Sequence, residues 1–223
     1  VMGRCSDARD RLLATSAALL HERGYTAVSV SDICKAAGLK KGSFYHFFES
    51  KHALVLATLD RFAERQRAQM QSAGDHSRPA REQLESMFIG MYEGYLEAQR
   101  AFGCSHGCAV GNLAQEMAHR DAQMRAKLAA IFSEWKKGLA AMLQRAHTKG
   151  ELVVADPDRA AEALLAYLQG TMLLAKAKDD PDVFLRLAGG LVALAEADLK
   201  SAPRPADVSK NVDLPRQVSE VLS

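Results

Sequence analysis

GYTAVSVSDICKAAGLKKGSFYHFFESK, residues 24–51, is the stretch that decides how this chain folds. Ser29 and Asp32 form a capping-box pair, in which a serine oxygen accepts from free amides while the acid faces the positive helix end, so a helix begins near Val30. Gly38 supplies the left-handed backbone at which helices stop, and Ala36 and Ala37 are small enough for close packing, so a tight turn follows. The next helix, Lys40 to Phe47, carries the donors Lys40, Lys41, Ser43, Tyr45 and His46 beside the apolar anchors Phe44, Phe47 and Phe48. Gly42 permits close approach of the backbone. Two short helices about a turn, the second wet and basic, form a helix-turn-helix, whose second helix enters the major groove of DNA with its first residues against bases and phosphates.

Ile33 to Ala37 followed by GLKKGSFYHFFESKHAL resembles the DNA-binding half of TetR-family transcriptional regulators. The resemblance extends to the Gly24-Tyr25 exit of the leading helix and the Phe-x-Ser-Lys start of a fourth helix, Phe48 to Lys51. It implies an all-helical homodimer, usually a repressor, whose C-terminal half binds a small molecule that alters affinity for DNA. Residue by residue it places Lys41, Gly42, Ser43, Tyr45 and His46 at DNA contact positions and Lys51 on a phosphate. Lysines displace counterions from phosphates, whereas serine, tyrosine and histidine give directed bonds to phosphates or base edges. Thr26 is a further candidate for a phosphate bond, and packing is the alternative role for Tyr45.

The composition of the 223 residues, 48% hydrophobic and 25% charged, is that of an ordinary globular chain long enough to bury a core without disulfides. Its net charge of +2 is uneven: residues 1–70 hold 11 Lys and Arg against 7 Asp and Glu, so the basic excess coincides with the helix-turn-helix. No apolar run approaches the roughly 18 residues needed to cross a bilayer, and Leu12 to Leu20 is amphipathic, unlike a signal peptide, so no membrane partner and a cytoplasmic location are expected. Cys5, Cys34, Cys104 and Cys108 are too scattered for a disulfide framework and are expected as thiols.

Apolar spacing is helical nearly throughout, which predicts an all-α chain of about nine helices. The expected division is a helix-turn-helix domain over 1–52, a connecting helix over about 50–72, an effector-binding and dimerisation domain over 53–200, and a tail over 201–223 in which Leu214 to Leu222 can form a short helix. Asp156-Pro157 and Asp180-Pro181 mark starts of helices eight and nine, expected over 157–178 and 182–200. Leu164, Leu165, Leu168, Met172, Leu187, Leu191 and Leu194 give this pair more apolar surface than one thin domain hides. An isologous four-helix bundle across a two-fold axis would cover it, with burial in the monomer core as the alternative.

The segment FGCSHGCAVGNLAQEMA, residues 102–118, stands out in the second half. Gly107 to Glu116 resembles a TetR subgroup that includes the repressor of N-ethylmaleimide reductase, in which a cysteine senses electrophiles, and Cys108 occupies the matching position. Cys104 and His106 depart from the usual pattern and offer a resolving thiol and a proton partner. Three readings stay open at this point: a small buried packing residue, a thiol sensor, or a Cys-His-Cys metal site lacking a fourth ligand. A conventional effector pocket would be lined by Phe88, Met91, Tyr92, Tyr95, Trp135 and Met172, side chains that equally suit a core. No phosphate-cradling loop, nucleophile elbow or zinc-protease helix is present, so neither catalysis nor a resident cofactor or metal is expected. Activation of transcription and a helical adaptor without DNA binding are the competing functions.

Overall fold

Leu12, Leu13 and Leu19 recur at helical spacing on α1 (Met2–Arg23), and they are buried where α2 (Val30–Ala36), α3 (Lys41–Phe47) and α4 (Lys51–Ser72) close around them. The computed structural model describes residues 2–72 and 78–199, and every regular element among these is helical. The whole of the expected tail, 201–223, with its Leu214–Leu222 segment, lies outside the described residues. The body consists of α5 (Ala80–Phe102), α6 (Ala109–Met117), α7 (Ala122–Thr148), α8 (Pro157–Lys178), α9 (Asp182–Leu187) and α10 (Gly189–Ala195).

Local chemistry sets most boundaries. Ser29 Oγ accepts from the Asp32 amide at 3.1 Å while Asp32 Oδ2 accepts from the Ser29 amide at 2.9 Å, completing the capping box. Gly38, at φ 64°, ends the turn after α2, and Arg11 reaches across from α1 to donate from Nε to the Ala37 carbonyl (3.1 Å) and from Nη2 to that of Gly38 (3.1 Å). Asp121 and Asp156 cap α7 and α8 through the amides of Met124 (2.8 Å) and Arg159 (3.0 Å), with Pro157 in the first turn of α8.

The ninth helix departs from its expected course. It breaks at Ala188 and ends at Ala195. The Tyr167 hydroxyl donates to the Leu187 carbonyl at 2.9 Å, and a Cβ on residue 190 would collide with that hydroxyl. The Gly189-Gly190 pair, with its low helix propensity, permits both the break and the approach.

Three apolar clusters run along the molecule. The head is organised around Leu12, Ile33, Phe44 and Leu54, each fully buried. A middle cluster joins Leu20 of α1 and Val55 and Leu59 of α4 to Val110, Leu113, Met124, Leu128 and Ile131 of α6 and α7. The body core brings together α5, the end of α7, α8, α9 and α10 around Leu84, Phe88, Leu143, Leu164, Phe184 and Leu191. Burying a leucine or valine side chain contributes roughly 1.5–3 kcal/mol, so the middle cluster makes head and body one packed unit rather than beads on a linker.

This packing corrects the expected dimer surface. Leu164, Leu168 and Leu191 are 0%, 2% and 0% exposed within the single chain, and Met172, Leu187 and Leu194 pack half-buried on the same core. None of the first three is surface that a second copy can cover. Helical spacing identified an apolar stripe but not which of the two stripes on α8 turns inward. The outward one carries Leu173 and Leu174 at 49% and 45% exposure, and α9 adds Leu185 at 50%.

Candidate nucleic-acid interface

The head presents α3 outward. Lys40, Lys41, Gly42, Tyr45 and His46 are exposed and Ser43 is half-buried, whereas Phe44 and Phe48 are buried and Phe47 packs partly beneath them. Tyr45 is held against the buried Phe44 ring edge-to-face at 5.1 Å yet remains 58% exposed, so its hydroxyl faces outward from a fixed base. His46 is braced the same way on Phe47 at 4.8 Å. These side chains form no hydrogen bond among the described residues, which leaves a row of donors fixed by the aromatic core under them.

Two expected contacts are arranged differently. Lys51 turns inward: its ammonium donates to the carbonyls of Tyr25 (2.9 Å) and Val28 (2.8 Å) and lies 4.1 Å from the centre of the Tyr25 ring. Burial pushes its pKa below the ordinary lysine value, partly offset by Glu116. The Thr26 amide donates to Glu116 at 2.7 Å, while the residue itself stays exposed. Both residues thus hold the loop between α1 and α2 through bonds within the chain.

The segment after α5 packs between head and body. Gly103 ends α5 in the left-handed conformation, and Cys108 caps α6, its Sγ accepting from the Gly111 amide at 3.3 Å. The Asn112 side chain donates to the His106 carbonyl at 2.7 Å and accepts from Lys176 of α8 at 3.3 Å. His21, near the end of α1, meets the Gly107 carbonyl at 2.7 Å and the His106 ring edge-on at 5.6 Å. Cys104 is exposed, its sulfur 4.0 Å from His106 Nδ1. No group of three or more metal-ligating side chains is assembled among the described residues.

A shallow recess, open to solvent, lies against Cys108, Asn112 and Gln115 on one side and Gln169, Met172 and Lys176 on the other. Of the expected pocket lining only Met172 is there. Phe88 and Tyr95 are buried in the body core, where the Tyr95 hydroxyl bonds the Ala175 carbonyl (3.1 Å) and Asp179 (2.9 Å), and Met91 and Tyr92 pack beside them. Burial and the Asp179 bond push Tyr95 up to about 12. Trp135 sits instead in the middle cluster between Phe62 and Phe132. One aromatic set thus serves two separate cores. Sequence reasoning missed Glu116, His21, Arg11 and Lys176 as connectors, because each acts on a partner far away in sequence.

A helix-turn-helix head with its second helix exposed, carried on a helical body, is the architecture of a DNA-binding transcriptional regulator. Residues 12–58 match the bacterial regulatory proteins of the tetR family, and residues 80–191 match the tetracyclin repressor-like C-terminal domain. The chain belongs to the TetR family of transcriptional regulators. It is 37% identical over 167 residues to the transcriptional regulator AcuR of Cereibacter sphaeroides, covering 73% of this chain and 74% of that one. The transcriptional repressor NemR of Escherichia coli is 29% identical over 179 residues, 76% of this chain and 84% of NemR. A crystal structure of regulatory protein TetR from Rhodobacter sphaeroides superposes with a TM-score of 0.75 at 32% identity, covering 84% of this chain and 98% of that chain. TetR-family regulators bind DNA as dimers and respond to small-molecule effectors. No helix among the described residues is long and apolar enough to cross a membrane.

Proposed function

We propose that this regulator represses transcription as a homodimer on a palindromic operator, reading it with Lys40, Lys41, Gly42, Ser43, Tyr45 and His46, and that chemistry at Cys108 or occupancy of the adjacent recess releases it. The observation that carries this reading is the position of Cys108. It caps the helix that touches the head, and its neighbour Gly107 is bonded to α1 through His21. The thiol adds across an electron-poor double bond: a sulfur–carbon bond forms, the π bond breaks, and the thiol proton ends on the neighbouring carbon. The adduct would stand at a close contact of α6 with α8, since a Cβ on Gly111 would lie 2.8 Å from Gln169 Oε1 and 3.6 Å from the Cys108 sulfur. Displacement of the α6 start is the consequence.

The dimer surface proposed is the outward stripe of α8, where Ala166, Leu173, Leu174 and Ala177 are exposed, with Leu185, Gly189 and Ala193 beyond it. Small residues among leucines let two helix pairs approach closely, and two-fold pairing sets the heads about one turn of DNA apart. Treatment with N-ethylmaleimide is the test of release. Wild type and Cys104→Ser are expected to leave operator DNA in a gel shift, whereas Cys108→Ser stays bound. Equal release of the Cys108→Ser protein refutes sensing at this thiol.

A further inference from the structure

Glu116 lies in the last turn of α6, well outside the helix-turn-helix, yet its carboxylate grips the head directly. Oε2 accepts from the Tyr25 amide and Oε1 from the Thr26 amide, both at 2.7 Å. Both oxygens are engaged by adjacent backbone donors, a bidentate and charge-assisted arrangement. Gly24 makes room for it: its φ is 80°, and a Cβ there would lie 2.7 Å from Glu116 Oε2. Burial alone would raise the pKa of this carboxyl, but the bonds from Thr26 and Tyr25, aided by Arg120, hold it below the ordinary glutamate value, so it is ionised when it binds.

The same loop is held from its other side. Lys51 donates to the carbonyls of Tyr25 and Val28, so an acid from the body takes the amides and a base from the head takes the carbonyls. Val28 leads straight into the Ser29 cap of α2, and α2 carries the turn before α3. At the opposite end of α6, Cys108 and Asn112 fix the helix start, and Gly107 meets His21. Nine helical residues at 1.5 Å each make α6 a rod about 13 Å long. Its two ends meet α1 and the loop after it, about one helical turn apart.

We infer that Glu116 is a positioning residue for DNA recognition: its carboxylate sets the attitude of the reading head against the body, and through it any movement of α6 reaches α3. The inference rests on the dimeric operator-binding reading above. A residue that sets attitude controls how two heads match a two-site operator, and leaves each head's grip on one site unchanged.

The test uses the full-length protein and three duplexes: the selected operator, the operator with two base pairs inserted at its centre, and a single half-site. Glu116→Ala removes the clamp, and Glu116→Gln preserves side-chain size while facing one of the two amides with a donor. For both variants operator affinity is expected to fall about tenfold, with discrimination against the lengthened operator reduced and half-site affinity unchanged. Glu116→Gln guards against loss of fold, monitored by helix content and melting temperature. Wild-type affinities and spacing preference in both variants, or an equal loss on half-site and operator by a folded Glu116→Gln protein, overturns the inference. A wild-type protein that prefers the operator no more than the half-site refutes the dimeric reading itself, and is told apart by appearing before any substitution is made.

Discussion

α3 and α6 are both short helices lying between longer ones, yet their polar side chains have opposite fates. On α3, Lys41, Tyr45 and His46 face solvent without a hydrogen bond among the described residues. On α6, Asn112, Glu116 and the capping Cys108 are all bonded within the chain. Donors held in place without internal partners are available to a partner outside the molecule. Polar groups that are taken up internally make a joint, and a joint transmits displacement because it has no slack.

The comparison is broken most decisively on α3 itself, where adjacent residues point opposite ways. Phe44 is fully buried and Tyr45 is 58% exposed. Phe44→Ala is expected to cost about 3–5 kcal/mol and to abolish operator binding through loss of the head, visible in a thermal melt. Tyr45→Ala should change stability by no more than about 0.5 kcal/mol while lowering operator affinity roughly tenfold in a fluorescence titration. If Tyr45→Ala melts like Phe44→Ala, the outer face of α3 is structural and the distinction from α6 disappears.

What was legible in the chain follows the range of the interactions. The capping box at Ser29, the stops at Gly24 and Gly38, and the proline start at Pro157 are decided within a few residues, and the structure has each where expected. The run of donors marked α3 as the reading helix, and family resemblance added which of its residues stand at contact positions. The engagements of Lys51 and Thr26 were not legible, because Lys51 acts 23 and 26 positions away and Thr26 meets a glutamate 90 positions on. A period of 3.6 likewise marks apolar stripes without saying which neighbour each one meets, so it does not tell that Leu164 and Leu168 lie in the chain's own core while Leu173 and Leu174 face outward.

Two lysines sharpen the same contrast with a smaller effect. Lys51 has two carbonyl partners within the head, whereas Lys41 is exposed on α3. Lys51→Ala leaves two carbonyls without their donor and is expected to cost about 1–3 kcal/mol of stability. Lys41→Ala should leave the melting temperature unchanged and flatten the plot of log affinity against log salt by about one unit, as for one phosphate neutralised. A full unit of flattening from Lys51→Ala, with no loss of stability, would place it among the outward donors instead.

The smallest effect is a pH dependence lodged at the joint, and its sign is fixed by His21. Burial lowers the pKa of this imidazole below its ordinary 6.5; the bond to Gly107 opposes the shift, and the charges of His106 and Lys176 reinforce it. The folded chain therefore binds fewer protons here than the unfolded chain does, so stability rises with pH between the folded value and 6.5 and is lost as pH falls through that window. Glu116, Asp121 and Asp180 are also held below their ordinary values, but carboxylates act lower, near and below 4.5. Melts between pH 7 and 5.5 consequently isolate the histidine from the acids. His21→Gln keeps a donor toward the Gly107 carbonyl without a titrating ring, so its melting temperature is expected to fall less over that range than the wild type's. Parallel curves would show that proton uptake acts elsewhere. A difference confined to His21→Gln, with Tyr45→Ala tracking wild type, would separate the joint from the reading face by titration alone.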